Sequence, residues 1–142
     1  MRHAWEYTLL STLRFSQKLV KLLTKKKLKV YRSLESLPNK AFDIISLWHV
    51  LEHLPQTEEV ITKIHDLLTS KGVLIVAVPN FSSHDSLHYK KNWAALDVPR
   101  HLWHFTPEGL EKMFFSAGFK LLKKSKNRSE PNENYSSGAE VA

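Results

Sequence analysis

Apolar residues recur along the first part of the chain at helical spacing. From Tyr7 to Leu28 they alternate with lysine and arginine on the opposite face, which predicts a basic amphipathic helix within residues 1–29. Such a helix either packs on a domain with its lysine face in solvent, or binds a membrane surface or nucleic acid. The pattern alone leaves both alternatives open.

Two short apolar runs then flank a second helical pattern. Phe42–Leu47 and Val73–Val78 are mostly apolar, as is typical of strands buried on both faces of a parallel sheet. Between them Thr57 is predicted to cap a helix that Lys71 and Gly72 end. The apolar stripe of this helix comprises Val60, Ile61, Ile64, Leu67 and Leu68. The order strand, helix, strand predicts a parallel pair with a right-handed crossover.

A third helix is predicted further along the chain. Thr106, Pro107 and Glu108 stand in the order typical of a helix start, and Gly118 is predicted to end the helix. Phe119–Leu122 can open one more strand, after which the chain is polar. We therefore divide the sequence into a basic helix at 1–29, an α/β segment at 30–123 and a disordered tail at 124–142.

Composition narrows the function only slightly. The 142 residues carry a formal net charge of +7 and are 42% hydrophobic, which fits one domain with a real core and permits anionic partners without indicating nucleic acid. The chain contains no cysteine, so disulfides, thiolate catalysis and cysteine-ligated zinc are excluded. The longest apolar run is far shorter than the roughly 20 residues of a transmembrane helix. We expect a cytoplasmic protein without a transmembrane segment.

Three segments together resemble one enzyme family. The sequence FDIISLWHVLEHL at Phe42–Leu54 resembles the fourth-strand signature of class I S-adenosylmethionine-dependent methyltransferases. SKGVLIVAVPN at Ser70–Asn80 is similar to the fifth strand of the family, and DVPRHLWHF at Asp97–Phe105 follows in the order of the family. The resemblance spans about Val30–Lys123 and implies an α/β fold with a partial doubly wound, Rossmann-like sheet that binds cofactor at the carboxyl ends of its strands.

The resemblance also implies where the cofactor and the methyl acceptor bind. Leu47 and Trp48 would lie beside the methionine part of S-adenosylmethionine, with Trp48 and His49 facing the methyl group and the acceptor. Asn80, just after the fifth strand, would lie near the acceptor. The acceptor is expected to be a small molecule or a lipid precursor.

The glycines depart from the family pattern. The family holds its cofactor with a strand, a Gly-x-Gly turn and the start of a helix. Here Gly72, Gly109, Gly118 and Gly138 are the only glycines, none is within two residues of another, and all follow the fourth-strand signature. The sequence thus resembles only the carboxyl-terminal half of the domain, and we expect the chain alone to bind cofactor weakly or not at all.

Histidines supply candidate catalytic groups. Methyl transfer needs the acceptor in line with the methyl group and sometimes a base for its proton. His49, His53, His101 and His104 are candidates because imidazole titrates near neutral pH. Nothing in the sequence selects one of the four.

An aromatic and cationic cluster surrounds Arg100. Trp93, Arg100 and Trp103, next to His101 and His104, are predicted to form a lid over an anionic or flat acceptor. The alternative is a packed loop in which Arg100 pairs with Asp97.

The spacing His49-x-x-Glu52-His53 raises the question of a metal. On a helix it places His49 and Glu52 on one face with His53 adjacent, so Glu52 and His53 are candidate ligands of a divalent metal. The motif also resembles a metal signature of some methyltransferases, with His49 in place of a glutamate, and this implies His101 or His104 as a further ligand. The alternative is that Glu52 and His53 only cap and brace the helix that follows the strand.

Two functions follow from these expectations. The chain is a truncated S-adenosylmethionine-dependent methyltransferase, or it is a non-catalytic interaction module derived from one. Because Phe42–Leu47 lacks its neighbouring strand, we also predict a homo-oligomer or a partner chain at this open sheet edge.

Overall fold

The computed structural model describes Lys25, Tyr31 and residues 34–126 and 136–141. The chain divides into two compact units, residues 1–38 and 39–142. In the first unit the described part contains a short 3-10 turn, Leu34–Ser36. The predicted basic helix of residues 1–29 lies outside the described residues, apart from Lys25. The second unit contains the sheet.

In the described part of the chain, four strands form one mixed sheet. Their bounds are β1 at Phe42–Trp48, β2 at Leu68–Pro79, β3 at Leu121–Lys126 and β4 at Ser136–Val141. The strand order is β1-β2-β4-β3, with β1 and β2 parallel and β4 antiparallel to both of its neighbours. The parallel pair and its helical crossover confirm the α/β prediction.

Helices α1 (Thr57–Leu67) and α3 (Pro107–Ser116) pack with the sheet in one hydrophobic core, and the short helix α2 spans His84–Tyr89. Fully burying an aliphatic or aromatic side chain stabilises the fold by about 1.5–3 kcal/mol. The members buried below 4% exposure from α1, α3, β1 and β2 include Ile61, Ile64, Leu110, Phe114, Leu47, Leu74, Val76 and Val78. Alternation along the strands places Leu47 and its partner Val76 in this core.

The other face of β1 differs from the prediction of a strand buried on both faces. Ile44 is 62% exposed and Trp48 is 61% exposed. Both alternate with Ile45 and Leu47, which belong to the core or pack against it. Apolar composition alone could not show that only one face of β1 is buried.

The ends of α1 also differ from the predicted ends. Gln56, not Thr57, is the N-cap, although its side chain makes no cap hydrogen bond, and Thr57 is a buried first helical residue. The helix ends at Leu67 because Leu68 is extended and pairs with Phe42 at the start of β2.

Gly72 therefore lies inside β2 and does not end the helix. A Cβ at Gly72 would lie 3.0 Å from the carbonyl oxygen of Phe42 and 2.9 Å from Cδ2 of Leu68. The register of the β1–β2 pair shifts between Phe42 and Ile44, and glycine permits the close approach at this shift.

The boundaries of α3 confirm the sequence prediction. The Thr106 hydroxyl accepts a hydrogen bond from the Gly109 amide at 3.2 Å, and Pro107 occupies the first turn. After the helix, Gly118 has φ +90°, in the left-handed region that favours glycine.

The segment after α3 contains more structure than the predicted disordered tail. Within 124–142 the last residues of β3 and all of β4 are strands, so the prediction is wrong for those residues. Residues 127–135 and Ala142 lie outside the described residues. None of the helices in the described part of the chain is long and apolar enough to cross a membrane.

Candidate functional site

The carboxyl ends of β1 and β2 form the edge at which the predicted site residues begin. Trp48 pairs with Ala77, and the His49 amide donates to the Ala77 carbonyl at 2.9 Å. His49 then adopts φ +51°, which ends the strand and directs the chain into a 3-10 turn, Leu51–His53. Leu47 is buried in the core, whereas the Trp48 side chain is exposed at this edge.

Glu52 has an unusual environment. Its side chain is 1% exposed, and neither carboxylate oxygen has a hydrogen-bond partner. The nearest basic atoms are Nδ1 of His49 at 3.3 Å and Nε2 of His101 at 4.0 Å, both measured to Oε1. Burying a charged carboxylate without hydrogen bonds is costly, so this arrangement requires a compensating partner.

Two histidine rings lie beside this carboxylate in defined orientations. Nδ1 of His53 lies 2.9 Å from the Arg100 carbonyl oxygen, and Nδ1 of His101 lies 2.7 Å from that of Ala95. A carbonyl oxygen only accepts hydrogen bonds, so both Nδ1 atoms carry a proton and Nε2 is the ring nitrogen that can offer a lone pair. The rings meet edge to face with centroids 4.7 Å apart. One ligand atom each from Glu52, His53 and His101 lies within 4.8 Å of the others.

The loop that carries His101 is held against the 3-10 turn by backbone contacts. The amides of Leu102 and Trp103 donate to the Glu52 carbonyl at 2.8 and 3.3 Å. The indole Nε1 of Trp103 donates to the Leu54 carbonyl at 2.7 Å, which leaves the ring 44% exposed. These bonds fix the position of His101 relative to Glu52.

Arg100 adopts the packed-loop arrangement that the sequence left as an alternative. Its Nε and Nη2 donate to Oδ1 of Asp97 at 3.0 and 2.7 Å. The Arg100 side chain is 77% exposed. Asp97 also approaches the histidine pair, with Oδ2 3.9 Å from Nε2 of His101.

His104 and Trp93 lie with Phe81 in a separate aromatic group. Nε2 of His104 lies 2.8 Å from the Leu96 carbonyl, and its ring lies 5.3 Å from that of Phe81. Trp93 is 7% exposed with its ring 6.2 Å from Phe81. His104 is thus not among the three residues whose ligand atoms converge. Sequence reasoning did not single out Phe81, although its position directly after Asn80 was a usable signal.

Asn80 connects β2 to this aromatic group. It forms a parallel bridge with Phe105, and its Oδ1 accepts hydrogen bonds from the amide and hydroxyl of Ser82, both at 2.9 Å. The side-chain oxygen is therefore engaged within its own turn. The side-chain amide nitrogen of Asn80 can still donate a hydrogen bond to a bound molecule.

A family model described as "Methyltransferase domain" matches residues 2–124. The chain belongs to the methyltransferase domain family. The match begins well before Val30 and confirms the assignment to class I S-adenosylmethionine-dependent methyltransferases. No curated protein matches the sequence.

Solved structures of methyltransferases share the fold of this family member. It superposes on an S-adenosylmethionine-dependent methyltransferase from Thermotoga maritima with TM-score 0.64 and 18% identity, over 88% of this chain and 63% of that one. A Burkholderia thailandensis 1,6-didemethyltoxoflavin-N1-methyltransferase gives TM-score 0.65 and 17% identity, over 95% and 59%. A Mesorhizobium loti enzyme gives 0.68 and 12%, over 96% and 79%. These likenesses show a partial α/β methyltransferase fold.

The chain therefore spans less than two thirds of the first two of these proteins, 63% and 59% of their lengths. The Burkholderia structure holds S-adenosylhomocysteine. The four glycines of this methyltransferase domain form no Gly-x-Gly turn that could supply backbone donors to such a cofactor. The residues present do not fit the whole of S-adenosylmethionine.

Proposed function

We propose that the chain supplies the acceptor side of an S-adenosylmethionine-dependent methyltransferase that acts on a small molecule or a lipid precursor. The observation that carries this proposal is the shared carboxyl edge of β1 and β2. Trp48 and His49 end β1, Asn80 follows β2, and the loop with Trp103 is hydrogen-bonded to the turn after β1. In α/β sheets, ligands bind outside this edge.

The side chains at this edge suit the holding of an acceptor. The exposed rings of Trp48 and Trp103 offer flat apolar surfaces, and the amide nitrogen of Asn80 offers a donor. His49, 56% exposed and 3.3 Å from Glu52, is the most accessible candidate for accepting a proton from the acceptor. Arg100 is exposed and can attract an anionic group even while it is paired with Asp97.

Binding of S-adenosylhomocysteine tests whether the chain lacks the part of the site that holds the cofactor. Calorimetric titration of the 142-residue chain with S-adenosylhomocysteine is expected to give no micromolar binding, because the sequence lacks the Gly-x-Gly turn. A fusion that places the strand, Gly-x-Gly turn and helix start of the family ahead of residue 39 should bind it. In that fusion, Trp48→Ala should weaken binding at least several-fold, whereas Phe115→Ala, on exposed α3 surface, should not. Micromolar binding by the chain alone, or equal binding by both fusion variants, contradicts the proposal.

We also propose that the chain associates through β1, as a homo-oligomer or with a partner chain. In the described sheet β1 pairs only with β2, and Ile44 is exposed beside the free edge. Free edges invite pairing with other chains. Light scattering at micromolar concentration should give a mass above the 16.5 kDa monomer. Ile44→Lys should shift the mass towards the monomer, while Phe115→Lys should leave it unchanged. A wild-type chain that is monomeric and folded would exclude this association.

A further inference from the structure

We propose that Glu52, His53 and His101 bind one divalent transition-metal ion. The primary observation is the Glu52 carboxylate, which is buried and has no hydrogen bond to either oxygen. Native proteins almost always satisfy buried polar atoms, and a buried carboxylate without a hydrogen bond indicates a missing partner such as an ion. A cation between Glu52 and the two histidines provides that partner.

The orientation of the two imidazoles is the second, independent observation. Each ring donates its Nδ1 proton to a backbone carbonyl, that of Arg100 for His53 and that of Ala95 for His101. Metal-bound histidines almost always donate their other ring nitrogen in this way, which fixes the tautomer and leaves a basic Nε2 for the metal. Nε2 of His101 lies 4.0 Å from Oε1 of Glu52 and 3.9 Å from Oδ2 of Asp97.

The spacing of the ligand atoms is close to that of an occupied site. They lie within 4.8 Å of one another. With metal–ligand bonds of about 2.0–2.2 Å, two ligand atoms on one ion are at most about 4.4 Å apart. Small rotations of the side chains close the difference, and the backbone bonds from Leu102 and Trp103 to Glu52 keep the loop in place.

The ligand set selects the kind of metal. One carboxylate and two imidazoles suit zinc, manganese, iron or cobalt, and leave coordination positions open. Magnesium and calcium prefer sites made mainly of oxygen ligands. His104 is not among the residues whose ligand atoms converge, and its ring packs against that of Phe81 instead.

The competing account needs no metal. Protonated His49 and His101 would balance the charge of Glu52, with Asp97 3.9 Å from His101 as a second anion. A different source of metal binding is the exposed pair His84 and His88 on α2, whose rings stack 5.7 Å apart. The experiment must therefore distinguish metal binding at Glu52, His53 and His101 from the absence of a site and from binding at His84 and His88.

The test is titration of the full chain with Zn²⁺ by calorimetry and with Co²⁺ by visible absorption. One equivalent of each should bind, and the Co²⁺ spectrum should show the intensity of a site with fewer than six ligands. Glu52→Gln and His101→Gln should each weaken Zn²⁺ binding at least 10-fold. His104→Gln, a histidine of the same loop, and the double variant His84→Gln/His88→Gln should bind as the wild type does. A hundredfold excess of Mg²⁺ should not compete.

Two outcomes overturn the proposal. The first is a folded wild-type chain that gives neither Zn²⁺ heat nor a Co²⁺ spectrum at millimolar metal, which requires no variant. The second is binding that disappears in His84→Gln/His88→Gln and persists in both Glu52→Gln and His101→Gln. Circular dichroism of each variant distinguishes loss of the ligand from loss of the fold. Cofactor binding is not measured, so the result is independent of the proposed methyl transfer.

Discussion

Replacing Phe114 with alanine is expected to lower the free energy of unfolding by about 3–5 kcal/mol, the usual range for removing a buried aromatic ring. Phe114 is 1% exposed in the core, and its ring meets that of Phe119 edge to face with centroids 5.9 Å apart. The substitution removes the apolar burial of the ring and leaves a cavity between α3 and the sheet. Urea unfolding followed by circular dichroism measures the loss.

The next residue supplies a matched control. Phe115 lies on the same helix but is 75% exposed, so Phe115→Ala should change the free energy of unfolding by no more than about 0.5 kcal/mol. Equal losses for the two variants would show that α3 does not pack with the face described above.

Replacing Glu52 with methionine is expected to raise the free energy of unfolding by about 1–3 kcal/mol in a chelating buffer. Methionine has a similar length but needs neither a hydrogen bond nor a counter-charge, and the position is 1% exposed. A gain in stability from removing a polar residue is typical of a position kept for a function other than folding. Thermal and urea unfolding in EDTA measure it.

Zinc should narrow this difference in stability. At a free concentration a hundred times the dissociation constant, one bound ion stabilises the wild type by about 2.7 kcal/mol, whereas a variant that binds at least 10-fold more weakly gains at most about 1.4 kcal/mol. Glu58→Met, at an exposed position in the first turn of α1, serves as the control and should not be stabilised in EDTA. A Glu52→Met chain that is less stable than the wild type in EDTA would mean that His49 and His101 already compensate the carboxylate.

Local sequence patterns predicted the parallel pair and its helix because each element carries its own apolar run. They failed where a tertiary partner decides the conformation. Leu68 fits the apolar stripe of α1, yet it is extended because it pairs with Phe42. Ile44 and Ile45 are equally apolar, and only the layer of helices decides which of them is exposed.

β4 was missed for a related reason. Its sequence, SSGAEV, has no apolar run and low intrinsic strand propensity. What makes it a strand is its ladder of pairs with β2 on one side and β3 on the other, from Leu74 with Val141 to Pro79 with Ser136 on the β2 side. The six residues themselves carry no pattern that predicts a strand paired on both sides.

In the candidate site, too, local patterns predicted one part of the arrangement and could not predict the part that depends on tertiary contacts. The spacing of His49, Glu52 and His53 predicted neighbouring side chains if the segment were helical. Glu52 and His53 lie in the 3-10 turn Leu51–His53, and His49, just before that turn, lies 3.3 Å from Glu52. The choice between His101 and His104 depends on which backbone carbonyl each ring meets, that of Ala95 or that of Leu96. Every residue has a backbone carbonyl, so the sequence cannot show which carbonyl each histidine ring meets.

The strand order has a consequence for synthesis on the ribosome. β4 lies between β2 and β3, although it follows both in the chain. At translation rates of about 5–20 residues per second, roughly one to three seconds separate the synthesis of β3 from that of β4. Until β4 has been made, the second edge of β2 has no strand to pair with, and β3 cannot join the sheet. The described sheet can therefore be completed only after the last of its four strands has been made.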